Sequence, residues 1–273
     1  MKACFMGLGY IGLPTAIIAA KHGVNVLGVD INSGVVEMTN QGKLHIIEPG
    51  MEEYLQEVVN VGLLKASTTP EISDAYFMVV PTPFKGNHEP DISYVEAATR
   101  SVLPYLKEGD LYVIESTSPV GTTEKMQSLI FSERPELKDK IYIAYCPERV
   151  LPGNVIYELV HNDRVIGGIN PESTDKAIEF YSQFVQGTLH KTNCKTAEMC
   201  KLTENSSRDV PHEAGQRHLF GSQGDLQRYG YRWGTASFLN SYTYTSATGA
   251  DADAVLKTAL AQSGMGELDA QQL

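Results

Sequence analysis

Basic charge is scarce in this chain. Lysine and arginine number 22 against 33 aspartates and glutamates, a formal net charge of −11. Nucleic acids and anionic membrane surfaces are bound by basic patches, so neither is expected as a partner. An anionic ligand must be held by local donors against the field of the whole molecule. The cysteines Cys4, Cys146, Cys194 and Cys200 form no CxxC pair and no metal-ligand spacing. That argues against a metal site and for reduced thiols in a cytoplasmic protein. No signal peptide is expected from the N-terminal residues, and no apolar run approaches the ~20 residues of a transmembrane helix. Residues 211–273 lack isoleucine, hold one valine, Val255, and carry eight glycines. A segment so poor in β-branched residues cannot extend a sheet, and an atypical, low-order tail is expected there.

Before that tail the sequence alternates regularly. The apolar run 2–7 reads as a buried strand, 10–23 as a helix ending in Gly23, and 24–30 as a strand ending in Asp30. Helical spacing recurs over 35–43, 51–62, 94–106, 124–131 and 172–185. Strand-like runs occupy 75–81, 111–117, 141–147 and 163–168. Strands separated by helices predict an α/β fold with a doubly wound parallel sheet. One more amphipathic segment, 196–209, carries Ala197, Met199 and Leu202 toward one side. This organisation suggests a sheet domain over 1–185, the start of a helical unit over 186–210, and the tail.

The motif "GLGYIG" sets Gly7, Gly9 and Gly12 in G-x-G-x-x-G spacing between a strand and a helix, with Asp30 closing the second strand. Gly7 permits the tight turn, Gly9 lets a pyrophosphate approach the backbone, and Gly12 lets helix and strand pack closely. The helix N-terminus offers N–H groups and a positive dipole to phosphates. Asp30 would accept from the ribose hydroxyls and repel a 2′-phosphate, which favours NAD over NADP. Thr82 and Thr117 follow other apolar runs, at the strand ends where such folds bind ligands; they are also ordinary loop residues. In "YCPERVLPG", Glu148 could act as a base or orient a water and Arg149 could hold an anion, or the two could form a surface ion pair. Lys201, Asn205 and Arg208, at i, i+4 and i+7, share one helical face that is either solvated or able to stabilise an oxyanion.

The stretches "GLGYIGLPTA", "EPGMEEYL", "VPTPFKGNHEPD", "ESTSPVGTTEKM", "IAYCPERVLPGN", "NDRVIGG" and "KTAEMCKLTENSSRDV" resemble the UDP-glucose/GDP-mannose (nucleotide-sugar) 6-dehydrogenase family over residues 1–210. They are most similar to the branch that acts on UDP-N-acetyl-D-mannosamine for surface polysaccharide synthesis. The resemblance implies a Rossmann-like domain and NAD-dependent double oxidation of a sugar C6 alcohol to a carboxylate. It further implies that Tyr10, Ile11, Asp30, Thr82 and Thr117 contact NAD, and that Glu148 assists thioester hydrolysis. Arg149, Val150, Asn205 and Arg208 would contact the UDP-sugar. Lys201 would be the acid/base or oxyanion group, and the family's central helix would pair in a homodimer.

Departures are equally specific. The family's nucleophilic cysteine lies in a Gly-Gly-His-Cys stretch beyond the lysine helix, and no cysteine follows Cys200 here. A UDP-binding C-terminal domain is not recognisable, Ser207 stands where the family has phenylalanine, and Pro211 is expected to end the helix. These departures suggest a junction or frame change near 211 and a truncated, impaired enzyme. The alternatives are an NAD-binding fragment without turnover and a β-hydroxyacid dehydrogenase-like enzyme.

Overall fold

The computed structural model describes residues 1–86, 89–150 and 153–213, and of residues 206–213 only the backbone. Its elements follow in the order β1 (Lys2–Met6), α1 (Gly12–Lys21), β2 (Asn25–Val29), α2 (Ser33–Asn40), α3 (Met51–Asn60), β3 (Leu64–Ser67), β4 (Ala75–Met78), α4 (Ser93–Val102), β5 (Leu111–Ile114), α5 (Thr122–Glu133), β6 (Tyr142–Tyr145), α6 (Val155–His161), β7 (Arg164–Gly168), α7 (Pro171–Tyr181), β8 (Leu189–Asn193) and α8 (Cys194–Glu213). One sheet collects all eight strands in the order β3-β2-β1-β4-β5-β6-β7-β8. Every pairing is parallel except β6 with β7. The expected doubly wound α/β sheet is therefore present, with its last two strands, β7 and β8, reversed relative to the other six.

The central strands are buried on both faces because helices cover both, so they read as continuous apolar runs rather than alternating ones. Alternate residues still point to different layers. Phe5 and Phe77 join one core with α1, α3, α6 and α7, where Phe77 stacks on Phe5 and meets Phe180. Tyr76, Tyr112 and Tyr145 join the other with α4, α5 and α8. Each buried tyrosine hydroxyl finds a partner, Tyr112 on Thr99 and Tyr145 on the Ser116 carbonyl.

Three elements have no strong trace in the sequence. β3 and β8 are edge strands, short and partly polar, as exposed edges tend to be. α6 has seven residues, too few to establish a periodicity. The last helix differs from expectation. It begins at Cys194, where Asn193 Oδ1 accepts from Thr196 N as a cap, and its backbone runs past Pro211 to Glu213. Pro211 lies within this helical backbone, where its missing N–H removes one intrahelical bond without ending the helix before Glu213. The buried side of α8 is also different: Cys194, Ala197, Glu198 and Cys200 face inward, while Met199 is 40% exposed. The remainder of the tail reading, 214–273, lies outside the described residues.

Candidate functional site

At the carboxyl ends of β1 and β4, neighbouring strands run on into opposite layers, leaving a crevice. The glycine turn occupies this point. Gly7 has φ +104°, a conformation that side chains resist, and a Cβ there would lie 2.7 Å from the Val79 carbonyl oxygen. A Cβ on Gly12 would lie 1.9 Å from the Gly7 carbonyl oxygen. Both positions thus demand glycine for packing. At Gly9 an added Cβ would meet nothing within 4 Å, so open space lies over the backbone. Ile11 is the N-cap of α1; no side chain caps this end and its first turn holds no acid. Tyr10 is exposed beside it.

Asp30 sits at the end of β2 with its carboxylate fixed from two sides, by Leu8 N at 3.0 Å and Asn32 N at 2.9 Å. Thr82 Oγ1 donates to the Thr117 carbonyl at 2.7 Å, which ties together the ends of β4 and β5. Gly7, Gly9, Tyr10, Ile11, Gly12, Asp30, Thr82 and Thr117 therefore cluster on one edge of the sheet. A dinucleotide fits this edge: there is room above Gly9, an uncapped helix end for the pyrophosphate, and an oriented carboxylate for the ribose. A separate cavity of about 680 Å³, lined by Lys21, His22, Tyr54, Tyr157 and His161, lies at the other end of α1, away from this edge.

The loop after β6 supplies a second cluster. Glu148 is buried, and both its carboxylate oxygens accept from Val150 N at 2.6 Å. Burial pushes its carboxyl above the usual range, opposed chiefly by the charge of Arg164. Lys201 Nζ, on α8, donates to the Glu148 carbonyl oxygen at 2.5 Å. The alternative of a surface Glu148–Arg149 ion pair is overturned. Arg149 Nε instead donates to Glu204 Oε2 at 2.9 Å, and Nη1 to the Asp163 carbonyl at 3.3 Å. Asn205 lies one turn beyond Lys201 on α8. The Arg208 backbone is in the same helix; its side chain lies outside the described residues.

Sequence reasoning missed the groups behind this loop. Glu115, Arg164 and Tyr181 are all buried. Tyr181 donates to Glu115 Oε1, and the Arg164 guanidinium lies 5.1 Å from the Tyr181 ring. Burial pushes the Glu115 carboxyl up to about 7, against the pull of Arg164 and the Tyr181 hydroxyl. Glu115 Oε2 and Arg164 Nη1 have no hydrogen-bond partner among the described residues. The available signal was a charged residue at the end of an apolar strand, in "VIEST" and "DRVIGG". Glu48 and Glu198 were also missed. Glu48 accepts from Gly153 N and Val155 N at the start of α6. Glu198 accepts from Gly121 N, Thr123 N and Thr123 Oγ1 at the start of α5. No group of metal-ligating side chains occurs among the described residues.

The model of the UDP-glucose/GDP-mannose dehydrogenase family NAD-binding domain matches residues 1–185. The chain belongs to this family. Its sheet domain is the family's NAD-binding domain, and the glycine edge is the part of it that fits the cofactor. A UDP-N-acetyl-D-mannosamine dehydrogenase of Campylobacter jejuni is 53% identical over 218 residues, 77% of this chain and 54% of that protein. The chain thus spans about half the length of the curated relatives it matches. Among solved structures, the UDP-N-acetyl-mannosamine dehydrogenase Cap5O from Staphylococcus aureus has TM-score 0.74 and 45% identity, covering 77% of this chain and 51% of that one. A UDP-D-ManNAc dehydrogenase from Pyrococcus horikoshii has TM-score 0.74 and 34% identity, covering 97% of this chain and 73% of that one. Family membership removes the β-hydroxyacid alternative.

Proposed function

We propose that this chain serves the NAD-dependent oxidation of the C6 alcohol of a UDP-N-acetylhexosamine, with UDP-N-acetyl-D-mannosamine the expected substrate, in surface polysaccharide synthesis. The observation that carries this reading is the Lys201–Glu148 contact. It brings the helix bearing Lys201 and Asn205 to the loop bearing Glu148, Arg149 and Val150, at the carboxyl edge that also holds the glycine turn. The names of the similar relatives supply the substrate class.

NAD, when bound, accepts the hydride from the sugar carbon. In this reading Gly7, Gly9, Tyr10, Ile11 and Gly12 line its pyrophosphate, Asp30 holds its ribose, and Thr82 and Thr117 flank it. Lys201 Nζ takes or returns the proton at the reacting oxygen and steadies negative charge there, with Asn205 one turn on as a second donor. Glu148 is buried, with its carboxyl pushed above the usual range by burial, and it is placed to orient a water or exchange a proton. Arg149, Val150 and Arg208 hold the nucleotide-sugar. A homodimer through the central helix and a cytoplasmic setting complete the reading; no helix among the described residues is long and apolar enough to cross a membrane.

A specific observation favours a second reading, an NAD-binding unit without turnover. The nucleophilic step needs an accessible thiolate, and all four cysteines are buried. Burial pushes Cys4 and Cys146 up to about 12 and Cys194 up to about 11. NADH absorbance on incubation with UDP-N-acetyl-D-mannosamine and NAD separates the two. Formation of two NADH per sugar supports the dehydrogenase reading and sinks the second. NAD binding without any NADH sinks the first.

A further inference from the structure

Resting on the nucleotide-sugar reading above, we propose that Glu204 is a positioning residue for Arg149, and that the pair serves a neutral oxygen of the sugar rather than the diphosphate. The guanidinium is held from two directions. Glu204 on α8 takes Nε at 2.9 Å, and the Asp163 carbonyl before β7 takes Nη1 at 3.3 Å. Two anchors on different elements fix both the place and the tilt of a planar group, which is what aimed hydrogen bonding requires.

Charge balance decides what the group is aimed at. The Arg149 and Glu204 side chains are only 12% and 9% exposed, so the pair is largely out of water. A ligand nearby meets a compensated ion pair with directional N–H donors, not a bare cation. A diphosphate, with charge over several oxygens, is better served by an uncompensated helix end such as that of α1. A hydroxyl or acetamido carbonyl needs one or two aimed donors, which this pair can give. One alternative makes Glu204 a stand-in that leaves when a substrate anion arrives. Its departure would uncover a buried carboxylate, and breaking a buried pair in this way is strongly unfavourable. The same helix also sets Lys201 against the residue before Arg149. Glu204 therefore couples the sugar contact to the placement of the reacting group.

Isothermal titration of the whole chain at saturating NAD, with UDP-N-acetyl-D-mannosamine and with UDP, tests this. The readout is the preference for the sugar nucleotide over UDP. Glu204→Gln keeps an acceptor for Nε but removes the balancing charge. It is expected to lower that preference about 10-fold, the loss of one charge-assisted hydrogen bond, without weakening UDP or NAD. An unchanged preference overturns the proposal, as does tighter binding of the sugar nucleotide, which the stand-in role would produce. If the unaltered chain binds UDP and the sugar nucleotide equally, the proposal fails while the nucleotide-sugar reading survives. If it binds neither, both fail. Should Glu204→Gln lose NAD binding through misfolding, Arg149→Lys reads the same preference. It keeps the positive charge but not the fork, and an unchanged preference there also overturns the proposal.

Discussion

The two halves of the carboxyl edge are built from opposite materials. The cofactor half is made of backbone and of side chains left out: Gly7 and Gly12 leave no room for a Cβ, and Gly9 keeps space clear. The loop-and-helix half is made of charged side chains taken out of water: Glu148, held by the nearby Val150 N, and Arg149 and Glu204, which answer each other across the sequence. The first half offers shape and a helix dipole, and its glycine turn and Asp30 lie within the first thirty residues, with only Thr82 and Thr117 coming from further on. The second depends on pairings separated by 53 and 55 residues. At Gly7 and Gly12 the backbone leaves no room for an added atom, while the charged half depends on keeping its partners.

The sharpest break in this contrast is Gly12→Ala. A methyl 1.9 Å from a backbone oxygen must displace α1 from β1, at a cost of about 3 kcal/mol or more. Urea denaturation should show a large fall in midpoint, and a midpoint near the starting value would contradict the packing role. Next is Glu198→Ala. It strips a buried carboxylate from two backbone N–H groups and a hydroxyl at the start of α5, with an expected loss of about 2–3 kcal/mol. The same denaturation experiment checks it, and amide exchange at Thr123 should rise.

Glu115→Gln should act more weakly and through pH. Its folded carboxyl, raised from 4.5 to about 7, binds a proton that the unfolded chain has released. Its contribution is therefore fully present below pH 4.5, and is lost as pH rises toward 7. The substitution should flatten the decline in stability across that window, by about 1 kcal/mol per pH unit at most. Parallel stability–pH curves for the two proteins would exclude this role. Last is Gly9→Ala, with an expected change in stability below about 0.5 kcal/mol but a fall in NAD affinity. Fluorescence titration with NAD is the measure, and unaltered affinity would show that the open space over Gly9 is not the pyrophosphate path.

What could be read in advance follows the same division. The βαβ unit, the glycine turn and Asp30 were legible because strand, turn and helix cues are local. Lys201 and Glu148 could be picked out one by one, but nothing in the sequence says that they touch. Arg149 was legible as a cation, while its partner Glu204 sits in the middle of a polar helix face like many solvated acids. Glu48 and Glu198 were invisible for a related reason. A glutamate that caps a helix in another part of the chain leaves no mark on the local pattern. The continuation of α8 past Pro211 was not legible because a proline removes one intrahelical bond and kinks a helix without always ending it.

Glu198, Lys201 and Glu204 stand three residues apart on α8. They grip the loop before α5, the Glu148 carbonyl and Arg149 in turn. The helix thus works as a key with three teeth, each seated in a different ward. One inserted residue before Glu198 would turn the key by about 100° and advance it about 1.5 Å, unseating every tooth at once. For such a part, length and phase matter as much as residue identity, and a shift of register would be an all-or-none event.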